Sequence, residues 1–132
     1  MENTSEKVDF QIVLESEEVD KSSVYWQRQC QTLYDTIRKN LSEGSVSPSN
    51  HKGGEGEKAG IIISFDVLTL TGITLNSFYI LIKLINIWER NRKRSNLKYK
   101  FRNGSEVICT NLDVDDVPEI YRRLKQEDNK QE

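Results

Sequence analysis

ITLNSFYILIKLINIWERNRKR, residues Ile73–Arg94, is the stretch on which the fold turns. Leu75, Phe78, Tyr79, Ile82 and Ile85 recur at the spacing of one helical face, and Leu81, Leu84 and Trp88 widen that face. Asn76, Lys83, Asn86, Arg90 and Lys93 trace a single narrow polar stripe. A helix apolar over most of its circumference belongs between a sheet and something else. Thr74 is placed to cap it, because its hydroxyl can accept an orphan backbone N–H. Arg90, Arg92, Lys93 and Arg94 fall at the end where the helix dipole is negative. The apolar run is shorter than the roughly 20 residues that cross a bilayer. Lys83 in its middle adds an insertion cost of about 2.5–3.5 kcal/mol, so a buried helix is expected.

Working outward, Leu97–Arg102 alternates Leu97, Tyr99 and Phe101 with Lys98, Lys100 and Arg102 and reads as a strand. Asn103-Gly104 then signals a two-residue hairpin, with a return strand over Ser105–Leu112. That register puts Ile108 on the core side and Cys109 beside Lys98 outside; it also sends Glu106 inward and Val107 outward, against their chemistry. Asp115 or Asp116 is expected to cap a last helix with Pro118 in its first turn and Val117, Ile120, Tyr121 and Leu124 as its apolar stripe. On the other side, Ile61–Val67 is a buried strand, with a helical turn over Asp66–Leu70 as an alternative. Lys7–Glu15 alternates as a half-buried strand, broken only by Val13 on the wet side. Ser22–Leu41 is a helix with a stripe of Trp26, Cys30, Leu33, Ile37 and Leu41, capped by Ser22 or Ser23. Residues 43–60, rich in Gly, Ser and charge, read as a flexible surface loop.

The order β-α-β-α-β-β-α predicts an α+β two-layer sandwich, a small mixed sheet with helices on one face. A split βαβ arrangement of the ferredoxin-like kind is compatible with that order. Residues 7–125 make one domain, residues 1–6 a disordered tail and residues 126–132 a polar tail.

The chain has 132 residues, 30% charged and 36% hydrophobic, with a net charge of −2, which argues against a generally nucleic-acid-binding protein. The charge is segregated: between Arg90 and Arg102 there are seven basic residues and no acidic one. Cys30 and Cys109 have no metal-ligand neighbours, and Cys30 falls inside a core stripe. MENTSEKVDF has neither a positive n-region nor an apolar run, so a reducing cytoplasm is the expected setting. His51 lies in the Gly-rich loop with nothing to orient it, and Asp66 and the Asp113, Asp115, Asp116 group lack spaced acid–base partners. No catalytic residue, metal site or cofactor is expected.

YWQRQCQTLYDTIRKN, LTLTGITLNSFYILIKLINIWERNRKR and the late LDVDDVPEIYRRLK, in that order around a hairpin, resemble the effector-associated constant component family of bacterial conflict systems. The resemblance spans most of residues 8–125 and implies a small non-enzymatic partner in a defence locus, coupling an effector to a peptidase or sensor.

Two functional expectations follow. The first is a protein-interaction (adaptor) component meeting a protein encoded nearby, or a second copy, through any surplus face of Phe78, Tyr79, Ile82, Ile85 and Trp88. The second is a module for an acidic surface, nucleic acid or anionic membrane, using Arg90, Arg92, Lys93, Arg94, Lys98, Lys100 and Arg102, with Trp88 and Tyr99 nearby for stacking.

Overall fold

A computed structural model of the chain describes residues 7–17, 19–20, 23–52, 61–90, 97–110 and 112–130. The elements are β1 (Val8–Ser16), α1 (Val24–Asn40), β2 (Ser45–Lys52), β3 (Ile61–Ile73), α2 (Leu75–Arg90), β4 (Leu97–Asn103), β5 (Ser105–Cys109) and α3 (Val117–Lys130), which a short 3-10 turn over Val114–Asp116 precedes. The five strands form one sheet in the order β2-β3-β1-β4-β5. The α+β two-layer sandwich expected from the sequence is what the structure has.

The sheet is antiparallel throughout rather than mixed. The reason lies in the crossovers. Helix α1 carries the chain from β1 to β2 in the same direction, but β3 inserts between them. Helix α2 carries it from β3 to β4, and β1 inserts there. Strands that run the same way are therefore never neighbours. This double split βαβ is the ferredoxin-like arrangement, with β5 and α3 added after it.

One strand lies where a loop is expected. Residues 45–52 of the Gly/Ser-rich stretch pair with β3, while residues 53–60, like the expected tail 1–6, fall outside the described residues. At the other end α3 runs on through Lys130, past the expected start of the polar tail. Strand β3 is also longer than Ile61–Val67 and includes Asp66–Leu70, so the alternative of a helical turn there is overturned.

The inner face of the sheet is apolar because alternation holds on the central strands. Val8, Phe10, Ile12 and Leu14 of β1 and Leu97, Tyr99 and Phe101 of β4 are all buried. Helices α1 and α2 meet them with Trp26, Cys30, Leu33 and Ile37, and with Phe78, Leu81, Ile82 and Ile85. Val13 breaks the alternation on the other side, where it pairs with Val67 and Lys100 and is nonetheless buried. Caps fall where side-chain oxygens allow them. Ser23 Oγ accepts from Trp26 N at 3.1 Å, and Thr74 Oγ1 accepts from Ser77 N at 3.1 Å. The expected cap at Asp115 or Asp116 moves to Asp113, whose Oδ1 accepts from Asp115 N and starts the 3-10 turn ahead of α3.

The hairpin register is one residue later than a two-residue Asn-Gly turn requires. Asn103 pairs with Ser105 around Gly104 at φ +83°, and Phe101 pairs with Val107. A one-residue slip reverses every side chain, so Val107 and Cys109 face the core and Glu106 and Ile108 face out, the reverse of the two-residue reading. This relieves the burial of Glu106. Asn103 itself is a tie: its Nδ2 donates to the carbonyls of Asp9 (2.8 Å) and Leu124 (3.1 Å), joining the hairpin to β1 and α3. Asn103→Ala is expected to lower stability by about 1–2 kcal/mol, as the loss of two hydrogen bonds, one exposed and one partly buried, should. A shift in urea midpoint at constant slope measures it.

Candidate functional site

The partner face expected on α2 is closed. Phe78, Ile82 and Ile85 have no exposure and Trp88 has 5%. Trp88 Nε1 donates to Gln29 O at 2.9 Å, and Tyr79 is half-buried against the core. Helix α2 lies over the sheet with α1 on one side and α3 on the other. Its wide apolar arc is covered by three neighbours within this chain: Phe78, Ile82, Ile85 and Trp88 are core, and Tyr79 is partly buried against it.

The basic segment is divided. Arg90 is exposed at the end of α2, in the helix layer. Lys98, Lys100 and Arg102 lie on the opposite, open face of the sheet, since the residues alternating with them are core. Arg92, Lys93 and Arg94 lie outside the described residues. Lys100 Nζ is 3.2 Å from Glu15 Oε2, and Arg102 donates to Gln11 Oε1 at 3.1 Å. Tyr99 on β4 and Trp88 on α2, the expected stacking groups, are both buried. The open face between β1, β3 and β4 instead holds a shallow depression beside Asp9, Gln11, Thr69 and Arg102.

Of the ionisable residues weighed for catalysis, Asp66 and Asp113 are each engaged in a structural hydrogen bond. Asp66 Oδ1 accepts from Gln27 Nε2 at 3.2 Å, while Gln27 Oε1 accepts from Phe65 N at 2.7 Å. Gln27 thereby fills an irregularity in β3, where Pro48 pairs with Leu68 but Ser49 pairs with Ser64. Asp113 is occupied as a cap. His51 is placed on β2 opposite Ile62. Among the described residues no three His, Cys, Asp or Glu side chains are grouped to hold a metal, and no helix is long and apolar enough to cross a membrane.

Toward one end of the sandwich the structure leaves several apolar side chains exposed, on both faces of the sheet, since Ile62 and Ile63 are consecutive strand residues. That end holds the start of α1, the start of β3 and the end of α2. Val24 and Tyr25, Ile62 and Ile63, and Ile87 are all exposed there, at 68%, 59%, 46%, 51% and 55%. Ile62 and Ile63 sit on an arm of two strands only. Residues 61–64 of β3 pair with 49–52 of β2, whereas the β1 ladder stops at Val13↔Val67. Ile87 lies in a groove of about 490 Å³ between α2 and the segment before α3, lined by Lys83, Asn86, Arg90, Leu112, Asp113 and Val114. The sequence alone singles out none of these isoleucines, because their neighbours in space come from other elements.

The perturbed titrations are both near α3. Burial, with help from the Asp116 charge, pushes the Cys109 thiol above its ordinary range, while Arg123 pulls weakly the other way. Hydrogen bonds from Arg122 and Arg123 hold the Glu119 carboxyl below the usual carboxylate range. Because the folded state keeps the Cys109 proton longer, this group's contribution to stability is lost as pH rises above the free-thiol value. Cys109 is expected to react with iodoacetamide more slowly than a small free thiol, and buried Cys30 only on unfolding. Mass spectrometry of alkylated peptides across pH checks both.

Comparison with protein-family models, with curated proteins and with solved structures finds no match, so the fold and the surface described above stand on this chain's own geometry.

Proposed function

We propose that the protein is a non-catalytic, cytoplasmic adaptor component of a bacterial conflict system, coupling an effector to a peptidase or sensor encoded nearby. The observation that supports docking as its mode of action is the exposure of Tyr25, Ile62, Ile63 and Ile87 at one end of a sandwich whose core is otherwise closed. Single exposed apolar residues need no explanation. The groove at Ile87, with Leu112 and Val114 beside it and Lys83, Arg90 and Asp113 around it, has the make-up of an interface: apolar centre, charged edge. The resemblance in element order supplies the biological setting.

The test is co-purification with the products of neighbouring genes, for the native chain and for Ile63→Glu with Ile87→Glu. Both positions are exposed, so the fold is kept. One neighbour should co-purify with the native chain, and the double variant should bind it at least about tenfold more weakly, a loss of about 1.4 kcal/mol. A protein that binds no neighbour, or a variant that binds as well, defeats the proposal. A second reading, contact with an acidic surface through Lys98, Lys100 and Arg102, draws support from their shared position on the open sheet face. Salt-dependent retention on heparin would favour it; flow-through at low salt would remove it.

A further inference from the structure

The two edges of the sheet are built differently. Strand β2 has the features that blunt an edge: Pro48 within it, a break in register after Pro48, and Lys52 at its end. Strand β5, Ser-Glu-Val-Ile-Cys, has neither proline nor lysine, and its register against β4 is unbroken from Asn103↔Ser105 to Tyr99↔Cys109. Helix α3 packs mainly on β1 and β4. Ile108, outward on this edge strand, is 54% exposed. A regular edge that no other described strand pairs with, carrying an exposed isoleucine, is a template for another strand.

We propose that β5 pairs antiparallel with β5 of a second copy, about a two-fold axis at Ile108, joining two five-stranded sheets into one. The side chains choose both the occupant and the register. Residues directly opposite in an antiparallel pair share a face. Centring the axis on Glu106 sets two carboxylates against each other. Centring it on Val107 sets Glu106 against Ile108 of the second copy. Centring it on Ile108 sets isoleucine against isoleucine, Val107 against Cys109, and Glu106 against Thr110, so apolar meets apolar and no like charges meet.

A strand of this length makes an interface at the small end of the specific range, so association is expected in the micromolar regime rather than the nanomolar. Sedimentation of the full chain from about 1 μM to about 500 μM should show a reversible monomer–dimer equilibrium across that window. Ile108→Lys, which opposes two like charges at the axis, should raise the dissociation constant more than about tenfold, while Ile62→Lys on the far arm should leave it unchanged. In a Cys109→Ser background, Ile108→Cys should oxidise to a disulfide-linked dimer and Glu106→Cys should not. Circular dichroism confirms that each variant is folded. A chain that stays monomeric throughout, whether or not it binds an extended peptide at this edge, overturns the proposal. So does a dimer broken by Ile62→Lys but not by Ile108→Lys, or equal cross-linking at both cysteine positions. The adaptor reading is tested separately by the Ile63 and Ile87 variants, which leave β5 intact.

Discussion

Phe78→Ala is expected to remove about 3–5 kcal/mol of stability, enough to leave the domain largely unfolded at 37 °C. Phe78 is fully buried and stands at the meeting point of four elements. Its ring lies 5.5 Å from Phe10 of β1 and 5.8 Å from Phe101 of β4, both near-perpendicular, and 5.8 Å from Tyr121 of α3. Truncation loses the transfer free energy of the ring and leaves a cavity that rigid β-strand neighbours cannot collapse to fill. It also loosens Tyr121, whose hydroxyl donates to Ile73 O at 3.2 Å. Phe78→Leu, which keeps most of the volume, should cost less than half as much. Urea unfolding of both variants decides the matter: a loss below about 1 kcal/mol for alanine would mean that α2 does not dock where the structure puts it.

Gly44→Ala should be nearly as damaging, by about 2–4 kcal/mol, for a different reason. Gly44 turns the chain from α1 into β2 with φ at +88°. A left-handed backbone alone costs an alanine roughly 1–2 kcal/mol. A methyl group here would also stand 2.7 Å from Ile73 Cδ1 and 2.8 Å from the carbonyl oxygens of Thr71 and Gly72. Isoleucine can shift, but strand carbonyls cannot without breaking the ladder. Gly72 supplies the control. Its φ is +68°, but a Cβ there meets nothing closer than 3.7 Å, so Gly72→Ala should show the backbone penalty alone. If the two substitutions cost the same, the close approach at Gly44 is not real.

These two positions illustrate what the sequence makes legible. The burial of Phe78 follows from helical spacing, as do the stripes of α1 and α3, because each of those helices repeats one face over several turns. Strands β1 and β4 are legible for the same reason at period two. Strand β2 is not. SVSPSNHK has one apolar residue facing the core, Val46, and an edge strand needs no more. Its serines, proline and asparagine are the residues of turns, and only pairing with β3 makes it a strand. The hairpin register is ambiguous because Asn-Gly favours a two-residue turn, while facing Val107 rather than Glu106 to the core requires the closing pair to be Asn103 and Ser105 around Gly104; packing wins. The exposed surface was hidden for a deeper reason. Ile87 stands about 200° round the helix from fully buried Ile85, beside the polar stripe of Lys83, Asn86 and Arg90, and its 55% exposure shows that α1 and α3 leave that strip of α2 uncovered. Periodicity finds an apolar arc but not how much of it three neighbours will cover.

The central place of β1 in the sheet has a consequence for biosynthesis. It is the first of the five strands to leave the ribosome and it has two partners, β3 at 61–73 and β4 at 97–103. One flank waits for residues up to 73 and the other for residues up to 103, so the nascent domain carries a strongly apolar strand with an open flank until β4 has emerged. Such long-range pairing slows folding and invites capture by chaperones. A circular permutant that moves this segment next to β4 should refold faster at similar stability.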